Sequence, residues 1–303
     1  MSETTTGRGS RMPRGRALVV VLVVAALVVY GTVVALYAFN ERAVTVVGCT
    51  DDAPDGAVLL SLTPTGVDAA ADRMAATLTV VSWGPADGDA PGIPADDLTL
   101  ILTGTDGPST YAYEGGAIPS PISFRFITDG AIERWPFDSH TSQFSAVMVE
   151  ETAGSIRAVP TILCGSAHVP GWSFASTQVA STGTLVLDGG PVDEVRLEAT
   201  RSAATVAFGL VILALMIVLP VLGLSVAIRV LRGERKAEAS LMSWMAAMLF
   251  ATIPMRTFLP GSPPIGSWVD YLVVLWVVVG LVASLVIYAI AWLRWAPAGE
   301  RPR

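Results

Sequence analysis

Hydrophobic and polar positions along this chain fall into two kinds of pattern. Four blocks are almost continuously apolar: residues 17–39, 203–228, 241–259 and 271–293. Between the first two, residues 40–201 carry short alternating or β-branched runs separated by Gly, Pro, Asn and Asp clusters. The first and last blocks hold 23 uncharged residues each. At about 1.5 Å per residue, a helix of that length reaches roughly 35 Å and crosses a hydrocarbon core of ~30 Å. The pattern predicts four transmembrane α-helices, with an extracytoplasmic all-β sandwich inserted between helix 1 and helix 2.

The alternating runs fall at 58–63, 76–83, 98–103, 122–128, 143–150, 172–180, 184–187 and 195–200. Short strands at this spacing, punctuated by turn residues, are the signature of a sandwich or barrel. A helical turn or two is expected at 67–76. The stretch 84–97 (GPADGDAPGIPADD) has too many turn residues to build a core and reads as an exposed loop. Its aspartates lack the EF-hand spacing, so calcium binding there is a weak alternative to simple solvation. The last run joins the second span through only Arg201 and Ser202, which predicts a sandwich seated close on the membrane.

Charge turns this layout into an orientation. Arg8, Arg11, Arg14 and Arg16 precede the first span; Arg229, Arg232, Arg235 and Lys236 lie between the second and third; Arg294, Arg301 and Arg303 follow the fourth. Residues 40–201 carry seven Arg against 21 Asp and Glu, a net charge of −14. Basic loops stay cytoplasmic. The expected order is therefore a cytoplasmic tail at 1–16, helix 1 at 17–39, the outer sandwich at 40–201 and helix 2 at 203–228. A cytoplasmic loop at 229–240, helix 3 at 241–259, an outer hairpin at 260–270, helix 4 at 271–293 and a cytoplasmic tail at 294–303 complete it. The first block is longer than a signal h-region and has no A-x-A-like site at its end, so it reads as an uncleaved signal anchor. The expected location is the cell (plasma) membrane, multi-pass, with both termini inside.

Composition agrees. Hydrophobic residues make up 52% of the chain and charged ones 15%, against roughly 25% charged in a typical soluble domain. That excludes disorder and nucleic-acid binding and disfavours a cytosolic enzyme.

Candidate chemistry is sparse. The chain has no P-loop, G-x-G-x-x-G, H-E-x-x-H or G-x-S-x-G. Asp138, Ser139 and His140 are the residue types of a catalytic triad, but neighbouring strand residues face opposite ways. Asp138 and His140 share a face, two candidate metal ligands where a site needs more. Cys49 and Cys164 are the only cysteines and both fall in the outer segment. An even pair in an oxidising compartment predicts a disulfide, with a Cys164–His168 catalytic or metal pair as the weaker alternative. No enzyme activity, metal or cofactor is expected.

Two local sequences stand out. Arg134, Trp135, Pro136, Phe137 and Asp138 form a corner before a core strand. Pro136 fixes φ and holds Trp135 extended. The expectation is that both aromatics plug a sandwich end while Asp138 accepts backbone N–H groups, as Asp does in turns; the alternative is that the corner faces the spans or a partner. In the outer hairpin, Arg256 and Asp270 flank a turn holding Pro263, Pro264 and Gly266. A charge at that depth is tolerated when it pairs or snorkels, and pairing of the two is expected. Ser243, Ala247 and Ala251, and likewise Gly280 and Ser284, offer small-residue faces for helix packing.

The sequences R-W-P-F-D-S at 134–139 and P-G-S-P-P-I-G-S-W-V-D-Y at 260–271 resemble a domain-of-unknown-function family of four-span membrane proteins found in actinobacteria and fungi. The resemblance covers nearly the whole chain and implies the topology but no activity. The corner at 135–138 also resembles the aromatic-Pro-Phe-Asp corner in the β-sandwich of pentameric ligand-gated ion channels. Against that family, a span precedes the sandwich here, only three follow, the cysteines do not flank the corner closely, and the third span lacks a Ser/Thr-lined face.

The expected function is that of a non-enzymatic accessory or scaffold subunit. Its acidic sandwich would bind an envelope component, a membrane lipid, another membrane or envelope protein, or a second copy of itself. A channel or transporter subunit and an envelope-modifying enzyme are the alternatives. The cysteine pair gives a direct test: thiol labelling followed by non-reducing and reducing gels should find Cys49 and Cys164 protected together until reduction. Labelling of either in the folded, unreduced protein would disprove the bridge.

Overall fold

The computed structural model describes residues 14–40, 44–47, 57–88, 90, 92–152, 155–179, 186–187, 190–191 and 194–295. Helix α1 is Arg14–Asn40. The sheet region follows as β1 (Val44–Val47), β2 (Val58–Asp68), β3 (Arg73–Ser82), β4 (Leu98–Leu102), β5 (Thr110–Tyr113), β6 (Ile122–Ile127), β7 (Asp129–Gly130) and β8 (Ser139–Phe144). It continues with β9 (Ala146–Thr152), β10 (Ser155–Val159), β11 (Thr161–Ala167), β12 (Trp172–Val179), β13 (Val186–Leu187), β14 (Gly190–Pro191) and β15 (Glu194–Arg201). Helices α2 (Ala203–Leu231), α3 (Ala239–Thr257) and α4 (Leu275–Trp295) close the chain, and a π-helical turn at Asp270–Val274 leads into α4.

Alternation along the strands builds a β-sandwich. One wall is a five-stranded sheet in the order β1-β11-β2-β3-β6; facing it are two four-stranded sheets, β10-β9-β4-β5 and β12-β15-β8-β7. Leu60, Leu62, Met74, Leu78 and Phe126 of the first wall are fully buried against Leu100, Leu102, Met148, Phe144 and Leu197 of the second. Phe126 and Phe144 join the two walls, with ring centroids 4.2 Å apart. The facing sheets are linked by one run of chain: β8 passes into β9 at Ser145, whose N–H donates to Thr103 Oγ1 at 2.7 Å and whose carbonyl accepts from Thr103 N at 3.0 Å. Gly104, next to Thr103, has φ +69°, and a Cβ there would run into the Gln143 carbonyl.

The eight expected runs overlap β2, β3, β4, β6, β9, β12, β13 and β15 and touch β8 only at its last two residues; β1, β5, β7, β10, β11 and β14 lie outside them, and β11 is the longest of these. It lies inside the five-stranded sheet, parallel to β2 and antiparallel to β1. Its sequence, TILCGSA, buries four of its last five residues rather than every other one, so it shows no alternation. The helical turn expected at 67–76 is absent: β2 and β3 form a hairpin there, closed by turn residues 69–72. In the 84–97 loop, Trp83 Nε1 donates to Gly92 O at 3.0 Å, and residues 84–86 form a 3-10 turn.

Among the described residues, two helices are long and apolar enough to cross a membrane, Ala203–Leu231 and Asp270–Arg294. This corrects the expectation of four such spans. Helix α1 carries a further apolar stretch, Val23–Ala38. Helix α3 has only 19 residues, and Ser240, Ser243, Thr252 and Arg256 dilute its apolar character. Helix α2 packs on α4 through small residues: a Cβ on Gly280 would lie 2.8 Å from Pro220, and one on Gly223 2.8 Å from Ser284 Oγ. Ser243, Ala247 and Ala251 are exposed instead, and α3 buries Met245, Met248 and Thr252.

Gly104→Ala should therefore destabilise the sandwich by more than about 1 kcal/mol, because the new side chain meets both a left-handed backbone and a carbonyl. Gly116→Ala, at φ +77° but facing open space, should cost less. Thermal unfolding of the two variants in detergent checks the difference.

Candidate functional site at the junction of sandwich and helices

The corner is made locally. A 3-10 turn at Ile132–Arg134 ends at Trp135, the Trp135–Pro136 peptide is cis, and Phe137 N donates to Arg134 O at 3.0 Å. The two aromatics separate completely. Trp135 is 1% exposed and Phe137 72% exposed. Trp135 enters the helices rather than the sandwich core, packing in a cluster with Ile212, Met216, Leu259 and Val277. Its ring occupies the space a side chain would need at Gly209, where a Cβ would lie 2.7 Å from Cη2. Its Nε1 donates to Pro260 O at 2.9 Å. Trp135 therefore turns to the helices and does not plug a sandwich end. Phe137 fills no sandwich end.

Asp138 follows the corner and is 2% exposed. Backbone donors were expected around it, but its main partners are side chains. Arg201, the last residue of β15, brings Nε to 3.1 Å from both carboxylate oxygens and Nη2 to 3.0 Å from Oδ2. His140 Nε2 lies 3.2 Å from Oδ2; an ionised carboxylate only accepts, so that nitrogen carries the proton. Burial pushes the Asp138 carboxyl up, but the hydrogen bonds from His140 and Arg201 outweigh burial and hold it below the ordinary value.

The guanidinium itself is enclosed. Arg201 is 9% exposed, lies 4.0 Å from the Trp172 ring centroid in a cation–π contact, and fits against Gly261, where a Cβ would collide with Nη1. His140 meets Trp172 edge to face, centroids 5.7 Å apart, and presses on Gly130, which leaves no room for a Cβ. Ser139 is exposed, on the opposite face of the strand from Asp138 and His140, so the three triad residue types do not converge.

The outer hairpin supplies the other half of the junction. Arg256 Nε and Nη2 donate to Asp270 Oδ1 and Oδ2 at 3.1 and 2.9 Å, and Nη2 also reaches Pro263 O and Pro264 O at 3.0 and 3.2 Å. Gly266 N donates to Asp270 Oδ2 at 2.8 Å. One bidentate pair thus ties both ends of the turn and its middle, and presents Pro260 to Trp135. Arg134 is exposed at the rim of the corner. Cys164 is fully buried in β11 while His168 is exposed; Cys49 lies outside the described residues. Among those described, no cluster of three or more His, Cys, Asp or Glu could hold a metal ion.

Sequence reasoning selected Trp135, Asp138, Arg256 and Asp270 but overlooked Arg201, Trp172, Gly209 and Gly261. Arg201 had a usable signal: it is the one charge between a β run and an apolar span, where a basic residue needs an acidic partner.

Residues 47–197 match domain of unknown function DUF4436 and residues 201–295 match domain of unknown function DUF8686. The boundary between them falls at 198–200, beside Arg201. Comparison with curated proteins gives no match.

Asp138→Ala should leave Arg201 buried and unpaired, costing about 3–5 kcal/mol, whereas Asp138→Ala with Arg201→Met should cost less than the two single changes combined. Because the folded-state carboxyl titrates below its unfolded value, this stabilisation is complete above about pH 3.9. It disappears as pH falls from there through the folded-state value. Acid unfolding midpoints of wild type and Asp138→Asn measure it, and equal midpoints would contradict the pairing.

Proposed function

We propose that this chain is a multi-pass membrane protein that works as a non-enzymatic accessory or scaffold subunit. Its acidic sandwich is held outside the cytoplasm against the helices and binds an envelope component, a lipid or another membrane protein. The observation that carries this reading is the buried clamp of Trp135, Asp138 and Arg201. A sandwich on a loose tether needs no such clamp; one that presents a surface at fixed height above a bilayer does. The net charge of −14 on residues 40–201 and the basic flanks of the helices support the orientation, with both termini cytoplasmic. Val47 lies opposite Gly165 in the β1–β11 pairing. That register brings the chain to within two residues of Cys49 beside Cys164, which supports a disulfide between them.

A second reading, a channel or transporter subunit, draws on one observation: the corner packs directly on α2 and the 260–267 hairpin. Against it, the buried hydroxyls of Thr252 and Ser284 both donate to carbonyls of their own helices, Met248 O at 3.1 Å and Leu281 O at 2.7 Å. They offer no polar path through a single chain.

A reporter active only outside the cytoplasm should be active when inserted in the 84–97 loop and silent when fused after Arg303. Mild-detergent purification should then recover a stoichiometric lipid or membrane partner by mass spectrometry. The reverse reporter pattern overturns the orientation, and recovery of the bare chain overturns the scaffold reading.

A further inference from the structure

Beside the clamp lies a cavity of about 430 Å³ that the clamp itself does not use. That volume is in the range of small-ligand pockets, roughly 300–1,000 Å³. Three elements enclose it: the outer half of α1, the turn between β11 and β12, and the first turns of α2, with Pro260 of the hairpin at its edge. The lining changes character along its length. Val33, Val34 and Phe208 make an apolar wall, and Val34 and Phe208 are about half exposed, on the surface that α1 and α2 turn outward. At the sandwich end are the exposed imidazole of His168, the Thr205 hydroxyl and Tyr37.

We infer that this cavity is a phospholipid site, with an acyl chain along Val33, Val34 and Phe208 and the headgroup region at His168, Thr205 and Tyr37. The inference rests on the membrane reading above and names one ligand site for it. What covers the apolar wall follows from α2 itself. Its most apolar window has a mean hydropathy of 2.9, yet only 28% of that window is buried inside the chain. The cavity is the sandwich-side end of that uncovered surface. A chain of the adjoining leaflet enters it without leaving an apolar environment, while a polar headgroup meets the ring nitrogens and hydroxyls where the sandwich begins.

The test uses the full chain in phosphatidylcholine nanodiscs containing a phosphatidylcholine with a diazirine in one acyl chain. After illumination, mass spectrometry should place adducts at Val33, Val34 and Phe208 in excess over exposed residues of α4 such as Trp276 and Ile290. Val34→Trp, which fills the cavity, should abolish the Phe208 adduct while leaving those on α4; Phe208→Trp, filling from the other wall, should abolish the Val33 and Val34 adducts. Adducts spread evenly over α2 and α4, or cavity adducts unchanged in both filled variants, would overturn the site. If the wild-type chain instead leaves the membrane fraction on alkaline carbonate washing, the membrane reading itself fails, and that outcome is read before any crosslink.

Discussion

The Asp138–Arg201 pair is the contact on which the arrangement of sandwich and helices depends. Isolated charges do not stay ionised in a dry interior, so two that are 2% and 9% exposed must find each other. Each sits where its position commits a larger element. Arg201 ends β15 one residue before the N-cap of α2 is complete, and Ser202 caps that helix by accepting from Thr205 N at 3.3 Å. Asp138 directly follows the corner. Closing the pair therefore fixes the direction in which α2 leaves the sheet and brings Trp135 to the turn of α2 where Gly209 leaves room for it.

The helix side has its own brace. Arg256 and Asp270 close the hairpin by reaching across it and collecting the Pro263 and Pro264 carbonyls and the Gly266 N–H on the way. The proline-rich turn has few backbone donors of its own, so an arginine with several N–H groups in a rigid fork suits the task better than a lysine. The closed hairpin offers the Pro260 carbonyl to Trp135 and Gly261 to Arg201. The two ion pairs act in series: the second shapes the surface that the first holds down.

The strands were legible where one face meets the core and the other meets water, because burial then imposes a period of two, as in β2, β4 and β6. Strand β11 escaped because it is covered on both sides and so loses its alternation. At the corner, composition pointed to the right residues but not to their directions. Trp135 and Phe137 carry the same apolar signal, and which of them turns toward the helices depends on Gly209 and Pro260, distant in sequence. Arg201 escaped for a different reason: a basic residue beside a span is read as a topology signal, and its partner lies 63 positions away. Helix α3 shows the limit of reading spans by apolar run alone. It buries Met245, Met248 and Thr252 against its neighbours while its smallest residues face out.

A buried ion pair is weak evidence for stability as such, since well-packed apolar residues of similar volume often do as well. What distinguishes the pair here is direction. An apolar plug at 138 and 201 would accept many relative rotations of sandwich and helices. The approach of Arg201, whose Nε reaches both carboxylate oxygens with Trp172 on the guanidinium face and Gly261 at its edge, accepts few. The same geometry sets the shape of the cavity next door, because Ser202 and Thr205 belong both to the helix start that Arg201 orients and to the cavity wall. A change that loosened the clamp would therefore be felt first at that wall, before either the sandwich core or the α2–α4 contact gave way.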